Sequence, residues 1–142
     1  MDPYLELLAR QDAGKGKRRP PRHEESQTQR QCVAWFRLQY PEHAKLLFAV
    51  PNGGARSRVE AAIMKAEGVT AGVSDLIFLE PRGGYGALCI EMKREDKSSR
   101  QSARQKEWQK AVEEAGNVYA IAKSFDDFVA IMNSYMQLKK YL

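Results

Sequence analysis

Two short apolar segments separated by a glycine-rich stretch most constrain how this chain can fold. The first segment covers residues 72–79, the second covers residues 87–93, and both are rich in aliphatic side chains. Residues 81–86 between them contain one proline and three glycines, a composition typical of a tight turn. The pattern predicts an antiparallel β-hairpin.

Three charged side chains lie in the two strand segments of this hairpin, where a purely structural strand would not need them. Asp75 opens the first strand, and Glu91 and Lys93 lie two residues apart on the second. Because side chains alternate between the faces of a strand, Glu91 and Lys93 point the same way. Such a set could form a divalent-metal site with a cation beside it, since Mg²⁺ and Mn²⁺ prefer oxygen ligands. A turn-capping aspartate and a solvated ion pair fit the same residues, and the residues alone leave both interpretations open.

The composition predicts one globular domain with a polyanionic partner. The chain has 142 residues, of which 43% are hydrophobic and 29% charged, and its formal net charge of +5 favours nucleic acid. Two cysteines, Cys32 and Cys89, are too few for a disulfide framework or a cysteine-based zinc site, so we expect buried reduced thiols. No apolar run reaches the roughly 18 residues of a membrane helix, and no signal peptide is evident. We therefore expect a cytoplasmic protein.

The chain is predicted to divide into a flexible basic arm, residues 1–22, and a single folded domain, residues 23–142. Glycines and prolines in the arm would stop any long helix. The arm contains a basic cluster that includes Lys15, Lys17, Arg18 and Arg19. The cluster could bind DNA phosphates, or the arm could be a solvated tail, and the sequence leaves both possibilities open.

Hydrophobic periodicity within the domain predicts an α/β fold. The predicted elements are a helix over 23–39, a strand over 45–50, a helix from Ser57 to Gly68, the hairpin, a helix over 102–115, a strand over 117–122 and a helix over 124–137. A crossover through the helix at 102–115 would give a small mixed β-sheet flanked by helices.

Several further residues are candidates for contacts with DNA. The loop that contains Asn52 is rich in glycine and would allow close backbone approach to a ligand. Arg56, Arg58 and Lys65 flank that loop, and phosphate contacts from them would position a duplex without reading its sequence. Tyr85, at the tip of the hairpin, could stack on DNA or cover the turn, and the sequence does not decide between the two.

The motifs taken together resemble a known family. Asp75 followed by Glu91-x-Lys93 resembles the signature of the restriction-endonuclease-like, or PD-(D/E)XK, nucleases. More closely, residues 25 to 128 resemble the VRR-NUC (virus-type replication-repair nuclease) family and its small stand-alone viral members. The motifs that carry this resemblance are Glu25-x-x-x-Gln29, Trp35, Pro51-Asn52-Gly53-Gly54, Gly72-Val73-Ser74-Asp75, Glu91-Met92-Lys93, Gln105-x-x-Trp108 and Gly116. Ser74 departs from the family, which often has proline there, but no metal ligand changes.

The resemblance implies a restriction-endonuclease-like core and hydrolysis of phosphodiester bonds that depends on Mg²⁺ or Mn²⁺. It implies that Asp75 and Glu91 bind the metal and that Lys93 is the catalytic lysine. Glu25 would reach the metal directly or through water, and Gln105 would position Lys93, water or the substrate strand.

The resemblance also bears on the substrate. Small stand-alone relatives are associated with homodimers that cut branched DNA, so we expect a homodimeric endonuclease for four-way (Holliday) junctions. If the protein is viral, we expect it in the cytoplasm of an infected bacterium. A flap-cutting nuclease of the same fold is the nearest alternative.

Two other functions fit parts of the pattern. A non-catalytic nucleic-acid-binding module would keep the fold and the basic surface, but it would not need carboxylates close to phosphate. A sequence-specific restriction enzyme would use the same chemistry, but the chain shows no evident target-recognition region. Cleavage that is lost in EDTA while binding persists would separate an enzyme from a binding module.

Overall fold

The computed structural model describes residues 22–51, 57–94 and 100–140, with the backbone alone for residues 22–24. The predicted order of elements is confirmed. Of the predicted basic arm, residues 1–22, only Arg22 is described, and it is the first residue of the first helix. The elements are α1 (Arg22–Gln39), a 3₁₀ helix (Pro41–Leu46), β1 (Leu47–Ala49), α2 (Arg58–Ala66), β2 (Leu76–Phe78), β3 (Leu88–Met92), α3 (Ala103–Glu114), β4 (Val118–Ala122) and α4 (Phe125–Met136).

The first strand is shorter than predicted. Lys45 and Leu46, which we expected in the strand, belong to the 3₁₀ helix instead. That helix begins at Pro41, whose fixed φ and missing N–H suit the first position of a helix. The chain therefore turns once more before it becomes extended, and only three residues pair in β1.

The four strands form one mixed sheet in the order β1-β2-β3-β4. β1 pairs with β2 and β2 with β3 in antiparallel orientation, whereas β3 and β4 are parallel. Parallel neighbours need a long crossover connection, and α3 supplies it. The predicted α/β fold, a small mixed sheet flanked by helices, is confirmed.

The hydrophobic core lies between one face of the sheet and the helices α1 and α4. Phe78 of β2 is fully buried there, with its ring centroid 5.2 Å from that of Phe36 and 5.9 Å from that of Tyr135. Helix α3 covers the opposite face, where Trp108 packs edge-on against Tyr119 of β4. Because helices cover both faces at β3, all five residues of this strand are buried.

Both cysteines are buried free thiols, as the sequence predicted. Desolvation by burial raises the pKa of Cys32 to about 12, which keeps this thiol protonated and unreactive. Among the described residues, no helix is long and apolar enough to cross a membrane.

The turn between β2 and β3 has two features that fix its place. Gly83 and Gly84 have φ values of 61° and 88°, a left-handed pair that suits a tight two-residue hairpin turn. Arg82 precedes the pair, and its guanidinium donates 2.9 Å and 3.0 Å hydrogen bonds to the carbonyl oxygens of Met136 and Leu138, at the end of α4. The turn is thereby attached to the C-terminal end of the last helix.

A buried ion pair completes this attachment. Arg82 Nε lies 2.6 Å from Glu80 Oε2, and His43 Nδ1 lies 2.8 Å from Glu80 Oε1. Burial alone would raise the pKa of Glu80, but the hydrogen bonds with Arg82 and His43 outweigh burial and lower it below its ordinary value of 4.5. The carboxylate form is therefore favoured in the folded protein.

We predict that Glu80→Ala lowers the free energy of unfolding by about 3–5 kcal/mol, because it leaves the buried Arg82 guanidinium without its acid partner. Urea denaturation at pH 7 measures the change, and Glu42→Ala, at an exposed position, is the matched control. The contribution of Glu80 is fully present above pH 4.5 and is lost as pH falls through its lowered pKa. Equal stability of the two variants would contradict the prediction.

Candidate active site

A cavity of about 830 Å³ opens at the end of the sheet where β2 begins and β3 ends. Its walls are α2, the loop from α2 to β2, the first turns of α3 and one side chain of α1. The predicted catalytic residues Glu25, Asp75, Glu91, Lys93 and Gln105 all line this cavity. Residues that lie up to 80 positions apart in sequence are thus brought to one place.

The pairing of β2 with β3 places the two predicted metal-binding carboxylates side by side. Leu76 is paired with Ile90, so Asp75 and Glu91, one residue beyond each, lie at the same end of the hairpin. Asp75 Oδ2 accepts a 2.7 Å hydrogen bond from the backbone N–H of Met92. This bond fixes the position of Asp75 against β3.

Glu91 is a buried carboxyl with one unsatisfied oxygen. Its exposure is only 2%, and within the described part of the chain its Oε2 has no hydrogen-bond partner. Burial, followed by the adjacent Asp75, raises the pKa of Glu91 to about 8, while Lys93 and a hydrogen bond with Tyr119 act in the opposite direction. An unsatisfied carboxyl beside a second carboxylate fits a divalent cation, which would satisfy the free oxygen and offset the repulsion.

Gln105 connects the catalytic lysine of the predicted signature to the buried glutamate. Its Oε1 accepts a 3.0 Å hydrogen bond from Lys93 Nζ, and its Nε2 donates a 3.1 Å bond to Glu91 Oε1. The same Oε1 accepts a 2.8 Å bond from the backbone N–H of Ser102, the N-cap of α3. Gln105 therefore belongs at once to a complete capping box and to the site.

Lys93 follows the last residue of β3 but keeps the direction of the strand. Its N–H donates a 2.9 Å hydrogen bond to the carbonyl oxygen of Ala122 in β4. Because side chains alternate along an extended chain, Lys93 points to the same face as Glu91, as its spacing predicted.

Glu25 lies at the edge of this arrangement. Its side chain is 41% exposed, and its Oε1 is 3.9 Å from Arg94 Nε. Among residues 22–51, 57–94 and 100–140, no group of three or more histidine, cysteine, aspartate or glutamate side chains is placed to hold a metal ion. Asp75 and Glu91 are thus the pair that could hold a cation, and the assignment of Glu25 as a third ligand stays a prediction.

The structure places the predicted DNA-binding residues at different distances from the cavity. Lys65 lines the cavity, whereas Arg58 begins α2 on the exposed surface outside it. Tyr85 is exposed at the turn of the hairpin, the end opposite to Asp75 and Lys93. Since β3 alone is about 16 Å long, the site and Tyr85 are well separated. Asn52, Arg56 and the arm residues Lys15, Lys17, Arg18 and Arg19 lie outside the described residues.

Three residues near the site were not predicted from the sequence. Arg104 lines the cavity beside Gln105, so together with Lys65 and Lys93 it adds positive charge to the walls. Tyr119 and Gln101 form a 3.1 Å hydrogen bond close to Glu91. Alternation along β4 could have indicated which face Tyr119 occupies, but only the register of β4 on β3 brings it near Glu91.

The fold is restriction-endonuclease-like, and comparisons with known proteins agree. A solved structure described as a "VRR_NUC domain protein" superposes with a TM-score of 0.72 and 28% sequence identity, over 83% of this chain and 92% of that chain. Among curated proteins, no sequence matches. Residues 16–126 match the VRR-NUC domain, which is most of the chain.

The chain therefore belongs to the VRR-NUC domain family, as the resemblance indicated. Membership implies a nuclease domain whose substrate is DNA. The match begins at residue 16, within the predicted basic arm rather than at its end.

The loop before Asp75 approaches α3 so closely that only glycine fits. Gly72 has a φ of 86°, and a Cβ built on it would lie 2.5 Å from the backbone carbonyl carbon and oxygen of Arg104. The loop and the first turn of α3 are therefore in backbone contact, which sets the distance between Asp75 and Gln105. A side chain at this position would separate the two halves of the site.

We predict that Gly72→Ala destabilises the protein by about 1–3 kcal/mol more than Gly68→Ala does. Both glycines have positive φ, but a Cβ at Gly68 would meet nothing within 4 Å, so the difference isolates the collision with α3. Urea denaturation of the two variants measures the difference. Equal losses of unfolding free energy would show that α3 shifts to accommodate the added Cβ without destabilising the protein.

Proposed function

We propose that this protein is an endodeoxyribonuclease that requires Mg²⁺ or Mn²⁺ and cuts branched DNA. The observation that carries the proposal is the buried Glu91 carboxyl, which has an unsatisfied oxygen beside Asp75 and is bridged to Lys93 by Gln105. A module that only binds DNA gains nothing from a desolvated acid pair next to the phosphates it must attract.

Asp75 and Glu91 are the residues that would hold the cation. When bound, such an ion polarises the scissile phosphate, lowers the pKa of a coordinated water and stabilises the leaving oxygen. Asp75 is oriented for this by the N–H of Met92, and Glu91 by the amide of Gln105. Glu91 Oε2 is the oxygen that remains available.

Lys93 has a separate task in the proposed reaction. Its ammonium group is held at 3.0 Å by Gln105, so its place is set before any substrate arrives. From there it can orient the attacking water and neutralise the charge that develops on the phosphate. Lys65 and Arg104, on the cavity walls, would hold the DNA backbone through phosphate contacts.

For the substrate, we propose a four-way junction cut by a homodimer, with flap DNA as the second candidate. One such cavity can cut one strand at a time, so paired cuts in opposite strands need a second copy. The formal net charge of +5 favours a polyanionic partner such as DNA.

Helix α2 supports the proposal of a homodimer. Its apolar stripe turns away from the protein, with Val59 69% and Ile63 54% exposed, while Met64 and Lys65 on the other side line the cavity. None of the nine residues of α2 is buried in a single chain. An outward apolar stripe on a helix is typical of a contact surface.

The charges beside this stripe fit a second copy of the same helix. At about 100° per residue, Arg58 and Lys65 lie on one flank of the stripe, and Glu60 and Glu67 lie on the other. If a two-fold axis runs parallel to the α2 helices of two copies, the basic flank of each helix faces the acidic flank of the other. We therefore infer a parallel α2–α2 contact about a two-fold axis.

We predict that Ile63→Glu raises the dimer dissociation constant at least about tenfold, because it places a carboxylate in an apolar contact. Leu79→Glu is the matched control, since Leu79 has the same 54% exposure but lies near the hairpin turn. Sedimentation equilibrium measures both constants. A monomeric wild type, or equal effects of the two variants, would contradict the α2 contact.

We predict that Glu91→Ala and Lys93→Ala each lower the cleavage rate by about 10²–10³-fold, because each removes a group that acts on the reacting phosphate. Glu107→Ala is the control, since Glu107 lines the same cavity without touching the carboxylate pair. The assay uses labelled four-way junction, flap and linear duplex with Mg²⁺ or Mn²⁺, and with EDTA.

Each outcome of this assay bears on a different part of the proposal. Paired symmetric cuts confined to the junction would support the dimeric junction nuclease, and cutting of the flap alone would keep the chemistry but change the substrate. Cuts at fixed positions in linear duplex would indicate a restriction enzyme. Binding that persists in EDTA, with no metal-dependent cutting of any substrate, would indicate a non-catalytic module.

A further inference from the structure

Tyr119 of β4 is the diagonal neighbour of Glu91 on the sheet. In the parallel pairing of β3 with β4, Cys89 is opposite Tyr119 and Glu91 is opposite Ile121. Alternation puts Tyr119 and Glu91 on the same face, the one that α3 covers. Diagonal neighbours on adjacent strands are within reach of an aromatic side chain.

The phenol ring of Tyr119 is held from two sides. Trp108 of α3 packs against it edge-on, with ring centroids 6.0 Å apart. Gln101 Nε2 donates a 3.1 Å hydrogen bond to the hydroxyl oxygen of Tyr119 and a 2.8 Å bond to Gln109 Oε1. Because the hydroxyl oxygen accepts from Gln101, its own proton is left to donate to another group.

The Glu91 carboxyl is the neighbour that needs such a donor. Gln105 donates to Oε1, and Oε2 has no partner among the described residues. The Tyr119 hydroxyl lowers the pKa of Glu91, against the larger effect of burial, which raises it. Donation from Tyr119 to Oε1, beside that of Gln105, would leave Oε2 free.

We propose that Tyr119, held by Gln101, is a positioning residue that fixes the rotation of the Glu91 carboxylate and so keeps one of its oxygens available to the metal ion. This inference rests on the proposed metal-dependent nuclease. Outer hydrogen-bond partners of metal-binding carboxylates commonly change metal affinity by 10–100-fold when they are lost. A phenylalanine would keep the packing on Trp108 and remove only the donor.

The test is the affinity of the DNA-free protein for Mn²⁺, measured by titration calorimetry. Tyr119→Phe should weaken Mn²⁺ binding about tenfold and raise the Mn²⁺ concentration for half-maximal cleavage by the same factor. The cleavage rate at saturating Mn²⁺ should change less than about threefold, because the metal-bound site is restored. Tyr40→Phe, which also removes one hydroxyl hydrogen bond but at Asn133 of α4, should change none of these quantities.

A second pair of variants keeps the test informative if Tyr119→Phe does not fold. Gln101→Ala removes the hydrogen bond to the Tyr119 hydroxyl and should weaken Mn²⁺ binding, whereas Lys110→Ala, at an exposed position of α3, leaves that bond in place and should not. Equal Mn²⁺ affinities of wild type, Tyr119→Phe and Gln101→Ala would overturn the inference about Tyr119 and leave the proposed function standing. A wild type that binds no Mn²⁺ would overturn the proposed function as well.

Discussion

The site depends on the register of β2 against β3. Leu76 is paired with Ile90, and this register puts Asp75 beside Glu91 and within a hydrogen bond of Met92. A slip of one residue would turn the side chain of Glu91 to the core face and bury a charge among phenylalanines. The apolar residues that alternate with the charged ones therefore select the register in which the carboxylates meet.

Much of the fold could be predicted because its signals are local. Serines at the starts of α2, α3 and α4 accept the hydrogen bonds that cap these helices, and Gly83 and Gly84 supply the turn of the hairpin. The Glu-x-Lys spacing correctly placed Glu91 and Lys93 on one face. These features need only residues a few positions apart, so a single sequence contains them.

The rest of the structure could not be predicted because it depends on tertiary contacts. His43 and Glu80 are 37 residues apart, and neither has a local pattern that indicates their pairing. Tyr119 reaches Glu91 only through the parallel register of β4, which depends on where α3 ends. The position of Tyr85, at the end of the hairpin away from the cavity, follows from the length of the paired strands and not from its neighbours in sequence.

One oxygen atom of Gln105 links the start of α3 to Lys93. It accepts hydrogen bonds from the Ser102 N–H and from Lys93 Nζ. Rotation of the Gln105 side chain therefore breaks both hydrogen bonds at once. Amide hydrogen exchange at Ser102 thus reports how often the assembled site opens, without any substrate or metal present.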